Sequence, residues 1–199
     1  MAIARAACPA ARGGDTASPM LAPLHTVRLR PTMLSDLDDV IEIENDAANL
    51  PFITPWERTQ HEGAVRFPDF RHFIVEAGPG FERAGFVILQ GCRSPHRSVE
   101  LKRIVLQAKG QGLGRACVRL LKQMAFRDLH AHRFWLDVKT LNTRAQALYA
   151  SEGFVEEGRL RESVRVSIDG VDGYDSLILM SMLDREYAAR VAMGLEVPA

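Results

Sequence analysis

The sequence predicts a mixed α/β fold, in which helices cover the faces of a central sheet of about seven strands. Three observations lead to this prediction. Seven short segments carry the alternating or continuous apolar patterns of strands. Two longer segments, starting near Leu113 and Asn142, carry helical patterns. The predicted order β–α–(α)–β–β–β–α–β–α–β–β places several strands in succession, which excludes a strictly alternating, doubly wound sheet.

The first half of the chain predicts one strand, a helical region and then three strands. HTVRLRPTM alternates apolar and polar residues until its proline, as a strand does. SDLDDVIEIENDAANL carries a partly helical stripe, with Ser35 or Asp36 as its N-cap. The irregular segment that follows allows a short helix around 61–66. HFIVEA, AGFVILQGC and SVELKRIVLQ then predict three strands, the first two joined by a turn at Pro79.

The second half predicts two helices around a central strand, then a hairpin. From Leu113, apolar residues recur at helical spacing, with basic residues on the opposite side. RFWLDV is apolar on both faces, which indicates a central strand. Asn142 can cap the helix TRAQALYASE, and Gly153 ends it. FVEEGRLRESVRV and YDSLILMSML predict two strands around the turn DGVDG, and DREYAARVAM a last helix.

Composition limits the classes of function. The 199 residues include 47% hydrophobic ones, which fits one domain with a sizeable core. The formal net charge is zero, so there is no global attraction to nucleic acid or to an anionic membrane. The sequence has no run of 18 apolar residues, so no membrane span is predicted. We therefore expect no nucleic-acid partner and no membrane partner.

Cysteine and histidine usage predicts neither a disulfide framework nor a metal site. The odd set Cys8, Cys92 and Cys117 lacks metal-ligand spacing, so a reducing cytoplasm is expected. Cys117 falls on the apolar side of its helix and is expected in the core. His130 and His132 have no acidic or cysteine partner nearby in sequence, so LHAHRF is interpreted as a polar turn before a strand.

The first 25 residues differ from the rest. They are rich in Ala, Arg, Gly and Pro and lack the apolar region of a signal peptide. We expect residues 1–25 to be a disordered extension, or a start that precedes the true one at Met20. The folded domain is predicted over residues 26–199.

The segment LQAKGQGLGRA holds three glycines at alternate positions between a strand and a helix. Free N–H groups and the helix dipole make such a helix start an anion site, and glycines let a phosphate approach. A P-loop would need Gly-Lys-Ser/Thr, which is absent. A dinucleotide fingerprint would need the spacing G-x-G-x-x-G after a first strand, and here three or more strands come first. Two interpretations of the segment remain. It is either a turn without a ligand or the pyrophosphate loop of an acetyl-CoA-dependent enzyme.

KGQGLGRA resembles the R/Q-x-x-G-x-G/A signature of the GNAT superfamily of N-acetyltransferases, with Lys109 at its first position. NTRAQALYASEGFVEEG is similar to the same family's N-x-x-A-x-x-L-Y-x-x-x-G-F segment. The resemblance covers roughly Thr26 to Leu183, and within the superfamily it points to the ribosomal-protein N-terminal acetyltransferases. It implies the GNAT fold, with the sheet splayed between strands 4 and 5, acetyl-CoA as co-substrate, and no metal.

The resemblance also implies which residues bind acetyl-CoA. Strand 4 offers its backbone to the pantetheine arm, as in strand addition. The glycine loop holds the diphosphate on its N–H groups, and an asparagine and a tyrosine complete the site. The implied residues are Ile104, Val105, Leu106, Lys109, Gly110, Gln111, Gly112, Leu113, Gly114, Arg115, Asn142 and Tyr149.

Acyl transfer to an amine needs a base for the amine proton and an acid for the leaving thiolate. Tyr149 matches the family tyrosine at the CoA sulfur and is the expected acid, with a packed helix residue as the alternative. Two residues are candidates for the base. Glu100 matches the catalytic glutamate of histone-type members, and Asp137 matches an acidic residue that serves as the base in the ribosomal-protein branch. Glu100 could equally be a solvated charge, and Asp137 could pair with Arg103. Glu44, or water alone, remain as other bases.

We expect the acceptor side to include Trp56, Glu57 and His61 as exposed residues, although Trp56 could instead pack. The predicted function is acetyl transfer in a ternary complex to a primary amine, of a protein N-terminus or of a small molecule. Two alternatives remain open: a silent CoA-binding sensor of the same fold, and a longer acyl-CoA donor. A homodimer is compatible with the family.

Overall fold

The computed structural model describes residues 27–168 and 171–196, and within them seven strands form a single mixed sheet. The strands lie in the order β1-β2-β3-β4-β5-β7-β6, and only the β4–β5 pair is parallel. The strands are β1 (Val27–Pro31), β2 (Arg71–Ala77), β3 (Glu82–Gln90), β4 (Ser98–Leu106), β5 (Arg133–Lys139), β6 (Val155–Ile168) and β7 (Val171–Leu183).

Five α-helices of the described residues flank this sheet. They are α1 (Leu37–Glu44), α2 (Arg58–Arg66), α3 (Leu113–Gln123), α4 (Thr143–Ser151) and α5 (Asp184–Ala192). The predicted order of elements is confirmed, and α2 begins three residues earlier than the pattern around 61–66 indicated. The expectation for residues 1–25 lies outside the described part of the chain. No described helix has the length and apolar character needed to cross a membrane.

Each face of the sheet carries its own core. On one face α3, α4 and α5 cover a cluster that includes Cys117, Leu121, Phe134, Tyr149 and Tyr187. Cys117 is fully buried there, as its place on the helical stripe predicted. On the other face α1 and α2 cover a smaller cluster around Phe86 and Ile88. Because strand side chains alternate between faces, β3 and β4 each contribute to both cores.

β4 and β5 separate soon after they begin. They pair only at Ser98 with Arg133, Val99 with Phe134 and Glu100 with Trp135. β4 continues to pair with β3 as far as Leu106, so its edge toward β5 has no strand neighbour beyond Glu100. The predicted splay between strands 4 and 5 is confirmed, and it opens a V-shaped gap whose walls carry unpaired backbone groups.

Candidate active site

A cleft of about 480 Å³ lies where β4 diverges from β5. Ten of the predicted cofactor residues line it: Ile104, Val105, Leu106, Lys109, Gly110, Gly112, Gly114, Arg115, Asn142 and Tyr149. Two do not, because Gln111 faces solvent and Leu113, the first residue of α3, is turned into the core. The α1–α2 loop adds Asn49, Phe52 and Ile53 to the wall, which no sequence motif indicated.

The glycine loop has the backbone of an anion site. Gly110 and Gly112 have φ values of 85° and 81°, in the left-handed region that favours glycine. A Cβ on either would meet no atom within 4 Å, so the conformation and not crowding requires glycine. Gly112 is the N-cap of α3, and the first N–H groups of that helix therefore open toward the cleft. Such a concave run of N–H groups fits a phosphate or diphosphate.

Asn142 stands at the start of α4, opposite the glycine loop. Its side-chain oxygen accepts a hydrogen bond from the Ala145 N–H at 3.2 Å, so the predicted helix cap is confirmed. With the oxygen used in this way, the amide nitrogen of Asn142 remains as a donor at the cleft wall.

Tyr149 lies on α4, facing both the cleft and the core. Its residue exposure is only 6%, and its ring packs against Phe154 with centroids 5.8 Å apart. Burial, with a smaller contribution from the charge of Asp137, raises the pKa of Tyr149 above its usual value. The phenol is therefore held protonated, which a proton donor requires.

Glu100 and Asp137 lie on the face of the sheet opposite to α3. Glu100 is 8% exposed, and burial raises its pKa although Lys102 donates to it at 3.0 Å. Asp137 is exposed and has no ion pair among the described residues. The charge of Asp137 raises the pKa of both Glu100 and Tyr149. Asp137 is therefore within electrostatic reach of both other predicted catalytic residues.

A second cavity, of about 700 Å³, opens on this face at the point of divergence. Glu100 and Trp135, the last paired residues of β4 and β5, form part of its wall. Phe67, Pro68 and Pro95 supply apolar surface from the loops before β2 and β4. No pattern in the sequence indicated this cavity, because its lining comes from separate segments that share no motif.

The expectation that His61 is exposed was wrong. His61 is fully buried, and its Nε2 lies 3.0 Å from the Glu44 carboxylate. The Trp56 backbone N–H donates to the same carboxylate at 2.9 Å, and the Trp56 side chain is half-buried. Glu57 is exposed, and it begins α2 with a capping box to Gln60. None of the three residues lines either cavity, so their place on the acceptor side stays a prediction.

Glu44 and Arg103 form a buried ion pair beside Trp56 and His61. The alternative that Arg103 pairs with Asp137 is therefore wrong. Glu44 is fully buried, and Arg103, Trp56 and His61 already donate to its oxygens, so it has no free oxygen directed at an acceptor. This geometry argues against Glu44 as the base.

We found no metal-like grouping of three or more His, Cys, Asp or Glu side chains across residues 27–168 and 171–196. His132, one of the two histidines of LHAHRF, instead places its Nδ1 3.1 Å from the Asp184 carboxylate at the surface.

Acidification from pH 6.5 to pH 4 is expected to destabilise the fold through His61 and His72. Both are buried, and burial is the main cause that lowers the pKa of His61 to about 4 and of His72 to about 3. Below about pH 6.5 the unfolded chain binds protons that the folded chain excludes, so stability falls by up to about 1.4 kcal/mol per pH unit for each histidine. Urea unfolding between pH 7 and 4.5 measures this slope.

The matched variant for this experiment is His72→Gln. Because it removes one of the two titrating groups, the slope of unfolding free energy against pH should become shallower than in the wild type. A wild-type curve that is flat between pH 6.5 and 5 would contradict the neutral, buried state of both histidines.

Comparison with known proteins agrees with this geometry. The family described as "Acetyltransferase (GNAT) domain" matches residues 26–155. The spermidine N(1)-acetyltransferase of Escherichia coli K12 is 27% identical over 176 residues, which cover 83% of this chain and 90% of that protein. The spermidine N(1)-acetyltransferase of Vibrio cholerae is 31% identical over 121 residues, which cover 60% and 67% of the two chains.

Solved structures give the same relationship. The spermidine N-acetyltransferase of Vibrio cholerae in complex with CoA and spermine superposes with a TM-score of 0.71 at 26% identity, covering 81% of this chain and 98% of that one. A dodecameric structure of the Vibrio cholerae enzyme superposes with a TM-score of 0.68 at 27% identity, covering 82% and 97%. These relatives are spermidine acetyltransferases and not ribosomal-protein acetyltransferases, so the assignment to that branch is not supported.

Proposed function

The chain belongs to the acetyltransferase (GNAT) family, and from this premise we propose that it acetylates a primary amine of a polyamine-like small molecule. The enzyme class is an acetyl-CoA-dependent N-acetyltransferase. The observation that carries the acceptor class is the pair of acids Glu100 and Asp137 near the point where β4 and β5 separate. Glu100 lines the second cavity, and Asp137 lies two residues beyond Trp135 on β5, so a carboxylate beside largely apolar walls and a second one nearby suit an acceptor that is cationic along a hydrocarbon chain. The spermidine acetyltransferases among the relatives favour the same class.

Donor binding follows from the cleft. The N–H groups from Lys109 to Arg115 would hold the diphosphate, with the left-handed glycines keeping side chains out of its path. The unpaired edge of β4 from Ile104 to Leu106 would bond the pantetheine arm as an added strand does. The Asn142 amide nitrogen would donate to the arm from the opposite wall. The thioester is already activated, so these contacts mainly position it.

Asp137 and Glu100 would have different tasks, namely acceptor binding and proton removal. Asp137 is exposed and without an ion pair in the described chain, so it can bind the acceptor ammonium and orient the amine. Glu100 has a raised pKa because it is buried, which makes it the better proton acceptor. In the transfer, the amine nitrogen forms a bond to the acetyl carbon and loses a proton to Glu100. The carbon–sulfur bond breaks, and Tyr149 gives its proton to the departing sulfur.

The second cavity would hold the rest of the acceptor. Glu100 and Trp135 line it at the point where β4 and β5 separate, on the face of the sheet opposite to α3. Its apolar walls can pack against the methylene groups between two amines. We also propose that the chain forms a homo-oligomer, as the dodecameric Vibrio cholerae relative does; light scattering after size-exclusion chromatography tests this.

The proposal is tested by measuring thiol release from acetyl-CoA with spermidine, spermine and a peptide with a free N-terminus. Turnover of the polyamines with mass spectra that show one added acetyl group is expected. In Asp137→Asn, the acceptor KM should rise about tenfold or more while the KM for acetyl-CoA stays unchanged, because only the ammonium loses its counter-charge. Asp128→Asn, a change at an exposed acid in the short π-helical segment Met124–Asp128 that follows α3, is the matched control.

Other outcomes separate the remaining functions. Turnover of the peptide alone would overturn the polyamine acceptor but keep the enzyme class. Saturable binding of acetyl-CoA without turnover of any amine would favour the sensor. Faster turnover with butyryl-CoA than with acetyl-CoA would indicate a longer acyl donor.

A further inference from the structure

We infer that Glu44 is a positioning residue that holds Arg103 away from Asp137 and so keeps the Asp137 carboxylate available to the acceptor. The inference rests on the proposed function, because it concerns the acid to which we assign acceptor binding. Its basis is an arrangement in which one buried cation lies within electrostatic reach of two acids but pairs with only one of them.

Arg103 lies on β4, on the same face as Asp137. Its side chain is only 9% exposed, and burial lowers its pKa to about 10, whereas the charge of Asp137 acts in the opposite direction. Of the two acids, Glu44 is fully buried and Asp137 is exposed. A charge pair is stronger in a medium of low dielectric than at the surface, so the guanidinium pairs with Glu44.

Two further contacts hold Arg103 in this position. The Trp56 ring lies under the guanidinium, 4.7 Å from its central carbon. The backbone N–H of the same tryptophan donates to Glu44 at 2.9 Å. Glu44 is therefore the ion-pair partner of Arg103, and it also holds the tryptophan on whose ring the guanidinium rests.

A chain of buried hydrogen bonds fixes Glu44 in turn. Its carboxylate accepts from His61 Nε2–H at 3.0 Å, which leaves His61 Nδ1 as an acceptor when the ring is neutral. His72 Nε2–H then donates to that nitrogen at 3.1 Å, and Thr32 donates to His72 Nδ1 at 2.9 Å. The chain connects α1, α2 and β2 to the Glu44 carboxylate, so this carboxylate cannot turn away without breaking buried hydrogen bonds.

The other cations near Asp137 also have partners of their own. Lys139, two residues further along β5, donates from its Nζ to the Pro51 carbonyl at 3.2 Å. Lys102 donates to Glu100 at 3.0 Å. Arg103 is then the cation that a loss of Glu44 would release, and Asp137 is the acid that it would reach.

The test begins with Glu44→Gln, which keeps the shape of the side chain but removes its charge. The acceptor KM is expected to rise about tenfold with the KM for acetyl-CoA unchanged, because the freed Arg103 occupies Asp137. Glu42→Gln, an exposed glutamate on the same helix, is the matched control. Thermal unfolding of each variant reports how much fold stability changes.

The decisive variant is the double change Glu44→Gln with Arg103→Met. It removes both charges of the buried ion pair, so neither is left buried without a partner. The acceptor KM should return to within about threefold of the wild type, because no cation is left to occupy Asp137. A merely structural role predicts the opposite, namely that the double variant is at least as impaired as the single one.

The outcomes separate the inference from the proposed function. If Asp137→Asn leaves the acceptor KM unchanged, both the assignment of Asp137 and this inference are overturned. If Asp137→Asn raises the KM but Glu44→Gln does not, the inference alone is wrong. If Glu44→Gln does not fold, a double variant with an acceptor KM as high as that of Asp137→Asn overturns the inference, and a near wild-type KM supports it.

Discussion

Tyr149→Phe is expected to lower kcat by about 10²–10⁴-fold, the contribution typical of a positioned general acid. The variant removes only the hydroxyl, so the ring should keep its packing against Phe154. Because the lost interaction acts on the departing sulfur, the KM for acetyl-CoA should change little. Steady-state thiol release with saturating acceptor measures the effect.

The matched control for this prediction is Tyr187→Phe. Tyr187 has the same 6% exposure and stacks on Phe126 in the same core, but it lies on α5 and does not line the cleft. Its loss of a hydroxyl should leave kcat within about twofold, as a packing residue away from the chemistry would. A Tyr149→Phe variant that behaves like this control would assign Tyr149 to packing alone.

Lys122→Met is expected to destabilise the fold by about 3–5 kcal/mol, because it removes one partner from a buried charge cluster. Lys122 is fully buried in α3, and its ammonium donates to the Glu152 carbonyl at 2.9 Å and to the Glu152 carboxylate at 3.0 Å. It also pairs with the buried carboxylate of Glu196. Urea unfolding at pH 7 measures the change in the free energy of unfolding.

This cluster connects the helix after the glycine loop to the end of α4 that carries Tyr149. Arg119 and Arg190 would still pair with the two carboxylates, at 3.0 and 2.9 Å, which keeps the cost from being larger. Arg185→Met, at an exposed cation on α5, is the control and should cost less than about 0.5 kcal/mol. Equal stability of the two variants would mean that the Lys122 pairs contribute nothing net.

Much of the fold follows from local patterns. The strand and helix order, the Asn142 cap and the core position of Cys117 depend on period, capping chemistry and side-chain size within a few residues. The splay between β4 and β5 was expected from the resemblance of the glycine loop and the Asn142 segment to one family. Local periodicity alone does not give strand order.

The acceptor side was the part that the sequence predicted least well. His61 stands in an irregular, polar-looking segment, so nothing local indicated that it is fully buried. It is buried because α2 packs on the face of β2 and β3. There the His61 ring bonds His72 and packs edge-on against Phe86. A histidine that bonds another histidine 11 positions away cannot be recognised from its neighbours in sequence.

The sequence by itself determined the family and the donor. Left-handed glycines at a helix start, and an Asn and a Tyr on the next helix, act through backbone conformation and short spacing, which sequence records directly. Only the tertiary structure decided which charges meet. Arg103 pairs with Glu44 across 59 residues, and Lys122 with Glu196 across 74. Such pairs depend on sheet register and on burial, because a charge pairs most strongly with the acid that shares its low dielectric.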